Sequence, residues 1–131
     1  MAEQSRYDAG MAIRRRVLGN AHVDRAEANK TEFDNDFQRF ITEGAWGSLW
    51  ARQQWTPRQR SIVTIALLAA MGHDEEVAMH VRATANTGAT PEDLREAMLH
   101  VAVYAGVPAA NSAIKIVKKT LAEMAAVEGK E

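Results

Sequence analysis

Cysteine is missing altogether from these 131 residues. Disulfides, thiolate nucleophiles and thiolate-bound metals are therefore excluded. No Asn-Gly or Asp-Gly pair occurs, and no β-branched run alternates with period two, so nothing signals a β-hairpin or sheet. Without strands, no glycine-rich loop can follow one to cradle phosphates, and Ser61 has no nucleophile-elbow context. Neither sign of charge dominates: the net charge is −1, which calls for neither nucleic acid nor an anionic membrane as partner. The longest apolar run, Ile62 to Met71, is interrupted by Thr64 and closed by Gly72, well short of the roughly 20 residues of a membrane span. The N-terminal residues lack an apolar core of signal-peptide type, so the expected location is cytoplasmic.

What is present reads as helix. Hydrophobic residues make up 47% and charged residues 25%, the balance of an ordinary globular chain of one domain. A first helix is expected from Ser5 to Leu18, stopped at Gly19-Asn20. A short piece follows around His22 to Asn29. Thr31 then offers an N-cap, and Phe33, Phe37, Phe40 and Ile41 fall on one helical stripe that carries on toward Trp46 and Trp50. Thr56-Pro57 and Thr90-Pro91 each set a capping threonine before a proline suited to the first helical position. Asp74 is expected to cap the helix that ends near Thr87-Gly88. Leu94, Ala97, Met98, Val101, Ala102 and Ala105 form an amphipathic stripe, and a last helix begins near Pro108 with Asn111 as a capping candidate. The tail from Glu128 should fray. The sum is an all-α domain of about six helices. The helix after Thr56 is apolar nearly all round, which predicts burial on every side and, in so small a domain, a neighbouring subunit.

Four residues stand out for chemistry. His80 lies four residues after Glu76, on the same helical face, where a carboxylate can orient an imidazole. The other reading of the pair is a solvated surface contact. Arg60 sits where positive charge opposes the helix dipole, on the stripe of Val63, Leu67 and Met71 expected to be buried. A cation held there has either a carboxylate partner or an anionic ligand. Trp46, between Gly44 and Gly47, either walls a pocket or simply packs in a core. His73, Glu76 and His80 have metal-like spacing, but His73 falls outside the helix and no second carboxylate completes a shell, so no metal is expected.

The series Arg6-Tyr-Asp-Ala-Gly-Met11, Arg15-Arg-Val-Leu-Gly19, Ala21-His-Val-Asp-Arg25, Ala45-Trp-Gly47, Arg60-Ser61, Thr64-Ile-Ala66, Glu75-Glu76, His80-Val-Arg-Ala83 and Gly106-Val-Pro-Ala-Ala-Asn-Ser112 resembles the 4-carboxymuconolactone decarboxylase family. The resemblance covers most of the chain. It implies the alkylhydroperoxidase D-like all-α fold and a ring-shaped homo-oligomer, a hexamer. The redox branch of that superfamily carries Cys-x-x-Cys ahead of a histidine; here His73 and Glu76 stand at those cysteine positions, so thiol chemistry cannot run. The implied reaction is loss of CO₂ from 4-carboxymuconolactone, a small dianionic lactone, to give 3-oxoadipate enol-lactone in the protocatechuate branch of the β-ketoadipate pathway. No cofactor is implied, because the lactone itself accepts the electron pair. On this reading Arg60 binds a substrate carboxylate, His80 oriented by Glu76 is catalytic, and Trp46 walls the pocket. The alternatives are a related lactone isomerase or tautomerase, and a non-catalytic helical oligomer that binds small anions.

Overall fold

In a computed structural model of the chain, residues 5–128 are described. They form α1 (Arg6–Leu18), α2 (Asn20–Asn29), α3 (Asn35–Ile41), a π-helix (Thr42–Trp50), α4 (Pro57–Ala70), α5 (Asp74–Thr87), α6 (Pro91–Tyr104) and α7 (Val107–Glu128). The fold is all-α, with one helix more than the sequence suggests and the π-helix besides. The tail after Glu128 lies outside the described residues. Contacts gather the chain into two compact units, divided between Thr56 and Pro57.

In the first unit, α1 is capped by Ser5, whose side chain accepts from the Asp8 N–H, and stops at Gly19 with φ 89°. Arg14 is buried here. Its guanidinium donates to Glu27 at 3.4 Å, to Thr42 at 3.3 Å and to Gln38 at 3.2 Å, so one cation joins α1 to α2, α3 and the π-helix. Thr31 does not cap a helix directly. It closes a turn with Asp34, whose carboxylate accepts from the Thr31 N–H at 2.7 Å, and α3 begins only at Asn35. The helix then widens into a π-helix across Gly44 and Gly47, the weak points of the sequence pattern. Gly10 of α1 crosses against it so closely that a Cβ there would lie 2.2 Å from the Thr42 carbonyl oxygen and 2.9 Å from the Gly47 nitrogen.

In the second unit, Ile65 and Ala69 of α4, Val77 and Val81 of α5, Leu94 of α6 and Ala113 of α7 meet in one core. Both Thr-Pro signals mark helix starts, since α4 begins at Pro57 and α6 at Pro91. Thr90 and Asp93 form a reciprocal capping box. Asp93 also takes a two-pronged hydrogen bond from Arg58, with both N–H···O distances 2.7 Å. The Arg58 guanidinium, followed by the Thr90 N–H, holds the Asp93 carboxyl far below the usual carboxylate range.

Three further expectations need correction. Asp74 is not the cap of α5: His73 occupies that position, and Asp74, Glu75 and Glu76 fill the first turn, where the helix dipole favours them. Nor is α4 covered on every side within the chain. Its Ile65 side is buried by the helices that follow, whereas Val63, Leu67 and Met71 are exposed at 38%, 59% and 68%. Val63 and Leu67 border a groove of about 450 Å³ between α4 and α6 that also touches His100 and Tyr104. Asn111 lies inside α7, exposed, because the helix already starts at Val107.

Gly10→Ala should lower the urea midpoint, by roughly 1–3 kcal/mol of overpacking, because the obstructing atoms are backbone and cannot swing aside. Asp93→Asn should lower the midpoint at pH 7. Asp93 has a depressed pKa in the folded state, so its contribution is complete above its unfolded pKa and is lost as pH falls below it. The gap between wild type and Asp93→Asn should therefore narrow below about pH 4, measured by urea unfolding across pH.

Candidate active site

The α4–α5 hairpin is set by a glycine turn. Gly72 takes φ 74°, the left-handed region in which a side chain is strained. The His73 N–H then donates to the Leu68 carbonyl at 3.0 Å, and the Gly72 N–H to the Ala69 carbonyl at 3.2 Å. This Schellman ending satisfies the last carbonyls of α4 and turns α5 back along it. The lower part of the hairpin is apolar, built on Ile65, Ala69, Val77 and Val81.

Against that apolar background stands a buried polar group. Arg60 (8% exposed) and Ser61 come from α4; His80 (7% exposed), Thr84 and Thr87 come from α5. Arg60 Nε and His80 Nδ1 are both enclosed atoms. His80, Thr84 and Thr87 follow i, i+4, i+7, so they line one face of α5. The Ser61 hydroxyl donates to the Thr87 hydroxyl at 2.7 Å, and the Thr84 hydroxyl donates to the Val81 carbonyl at 2.6 Å. The Ser61–Thr87 bond fixes the register: Arg60 lies level with the last turn of α5, and His80 lies two turns further along. That separation is about 10 Å along the axis for seven residues. The carbonyl end of α5 is a favourable place for a cation, which offsets the unfavourable position of Arg60 at the start of α4.

The hairpin thus holds three of the four residues singled out in the sequence. Arg60 and His80 are buried. Glu76 is exposed, one turn before His80 in the first turn of α5. Arg60 is buried although Val63, Leu67 and Met71 of its stripe are exposed. Trp46 belongs to the first unit, where it is buried in the π-helix with its ring 5.1 Å from that of Trp50. Thr84 and Thr87 are not singled out by the sequence, although their spacing from His80 is readable there, and Ser61 stands out there only as a serine without a nucleophile elbow and as part of the Arg60-Ser61 motif. Among the described residues, no three His, Asp or Glu side chains come together in a way that would hold a metal ion.

A buried guanidinium and a buried imidazole about two helical turns apart suit a small anion that must give up or take a proton. The model of the carboxymuconolactone decarboxylase family matches residues 35–119. The chain belongs to that family. A 4-carboxymuconolactone decarboxylase from Acinetobacter baylyi is 41% identical over 95% of this chain and 92% of its own length. A nitrosuccinic acid decarboxylase from Metarhizium robertsii is 38% identical over 90% of this chain and 82% of its own. A 47-residue 4-carboxymuconolactone decarboxylase sequence from Pseudomonas putida is 53% identical over 36% of this chain. These family members, named for different substrates, are all named as decarboxylases.

Proposed function

We propose that this protein decarboxylates 4-carboxymuconolactone to 3-oxoadipate enol-lactone. The observation that carries this reading is the 41% identity to a 4-carboxymuconolactone decarboxylase, sustained over 95% of the chain. The buried Arg60 and His80 support it, because the reaction needs what they supply. The bond from the ring carbon to the leaving carboxylate breaks, and its electron pair forms a new ring double bond. The former double bond shifts toward the lactone carbonyl, whose oxygen takes the charge as an enolate. A proton then adds to the carbon beside that carbonyl, giving the enol-lactone and CO₂.

Arg60 clamps a carboxylate of the dianion, with the directional fork that a guanidinium offers. His80 donates to the enolate oxygen or delivers the proton, and Glu76, one turn away, orients it. Burial of the guanidinium and the imidazole keeps competing water away from the developing charge, which strengthens each contact. The lactone is its own electron sink, so no cofactor enters the scheme.

The relative named for nitrosuccinic acid favours a second reading, in which a small nitro-substituted diacid is the substrate. Its nitro group would accept the electron pair as the lactone carbonyl does, and the same guanidinium and imidazole would serve. In either reading the enzyme works in the cytoplasm as a homo-oligomer, a hexamer, whose neighbouring subunit covers Val63, Leu67 and Met71. The large apolar exposure of that face supports this. No helix among the described residues is long and apolar enough to cross a membrane.

Ultraviolet decay of 4-carboxymuconolactone, run beside nitrosuccinate, tests the reading. Wild type should consume the lactone. His80→Ala and Arg60→Ala should each lower kcat/KM by at least 100-fold, in line with loss of an acid-base group or an oxyanion donor, while sedimentation shows an unchanged oligomer. Near wild-type turnover in either variant would remove that residue from the mechanism. Leu67→Glu should shift the sedimentation profile toward smaller species; an unchanged profile would exclude this face from the interface.

A further inference from the structure

We infer that the buried Ser61–Thr87 hydroxyl pair is a positioning element for Arg60 and thereby sets the affinity for the substrate carboxylate. The inference rests on the reading of Arg60 as the carboxylate clamp. Ser61 is wholly buried and Thr87 nearly so, and their oxygens are 2.7 Å apart. Elsewhere the two helices meet through Ile65, Ala69, Val77 and Val81. An apolar pair at the Ser61–Thr87 level would hold the helices together about as well, since a buried hydrogen bond adds little net stability over apolar groups of the same shape. Serine and threonine are also poorer helix formers than the alanines used freely around them.

What the hydroxyl pair adds is direction. Apolar side chains pack over a range of small slides, whereas an O–H···O bond at this distance fixes one register and one rotation. The register it fixes is the one next to Arg60, the residue immediately before Ser61. It also sets the distance from Arg60 to His80, which lies on the same face of α5 as Thr87. A clamp that drifts by a fraction of an ångström loses the alignment of a bidentate carboxylate contact, while the imidazole two turns away is undisturbed. The loss should therefore fall on substrate binding, with the chemical step left nearly intact.

The test separates position from stability. Ser61→Ala or Thr87→Val alone leaves one buried hydroxyl without its partner and should lower the melting temperature. The double variant Ser61→Ala/Thr87→Val removes both hydroxyls and should recover most of that stability. Its KM for 4-carboxymuconolactone should nevertheless stay about tenfold above wild type, with kcat within about threefold, the change expected when one clamp is misaligned. Thr87→Ser keeps the hydroxyl and should restore a wild-type KM. The same comparison is made by titration calorimetry with the saturated-ring analogue of the lactone, which keeps both carboxylates but cannot delocalise the electron pair. Its Kd should rise in parallel with KM.

A double variant whose KM and Kd return to wild type along with its melting temperature would overturn the inference and leave a purely structural pair. Wild type that binds the analogue without turning over the lactone, with the double variant binding tenfold more weakly, would sustain the inference and defeat the decarboxylase reading. Wild type that neither binds nor turns over would overturn both.

Discussion

Burying a guanidinium and an imidazole in a helical hairpin strips both of water, and a domain of this size can do so only if the surrounding fold is fixed independently of them. The second unit is built to that requirement. Gly72 and the Schellman bonds end α4 sharply, Ile65, Ala69, Val77 and Val81 close the hairpin, and the Thr90–Asp93 box with Arg58 ties the starts of α4 and α6 together. Arg60 is then carried at the level where the carbonyl end of α5 can balance its charge, and His80 is carried on the face of α5 that turns inward. The buried guanidinium and imidazole that result are the groups that a decarboxylation through an enolate requires.

The first unit solves a different problem with similar means. Gly10 lets α1 approach the backbone of the π-helix, and Arg14 gathers α2, α3 and the π-helix around one buried charge. The extra residue per turn of a π-helix changes which side chains share a face. Trp46 and Trp50, four apart, come to lie with their rings 5.1 Å from one another. The pairing of the tryptophans is what i, i+4 spacing gives in any helix, whereas the widening does not follow from a 3.6-residue pattern.

Much of the fold was legible because it is written in local chemistry. Ser5, Gly19, Thr90-Pro91 and Gly88 are cap residues whose conformational preferences act within a few positions, and they mark helix ends where expected. The apolar stripe from Leu94 to Val101 marked the inner face of α6 for the same reason. Features that depend on what lies across the molecule were not legible. Hydropathy says that Val63, Leu67 and Met71 want cover, and cannot say whether the cover is the same chain. The Thr31 and Asp74 signals were read one step too simply, since a turn and an acidic first turn use the same residue types as a cap. Arg60 is buried, as its stripe predicts, although Val63, Leu67 and Met71 of that stripe are exposed. The hydroxyls of Ser61, Thr84 and Thr87 carry no strong sequence signal; threonine on a helix is unremarkable until its neighbour across the interface is known.

The absence of cysteine acquires its meaning from this arrangement. In a thiol-free hairpin, the groups able to act on a substrate are the buried guanidinium, the buried imidazole and the hydroxyls beside them, so the chemistry is that of charge and proton transfer. The most direct measurement of that claim is to run 4-carboxymuconolactone with the enzyme in D₂O and to follow released CO₂ and the product by NMR together. The account predicts one CO₂ released for each lactone consumed, and one solvent-derived deuteron at the ring carbon beside the lactone carbonyl. Consumption of the lactone with no CO₂ released would show an isomerisation in its place and would contradict it.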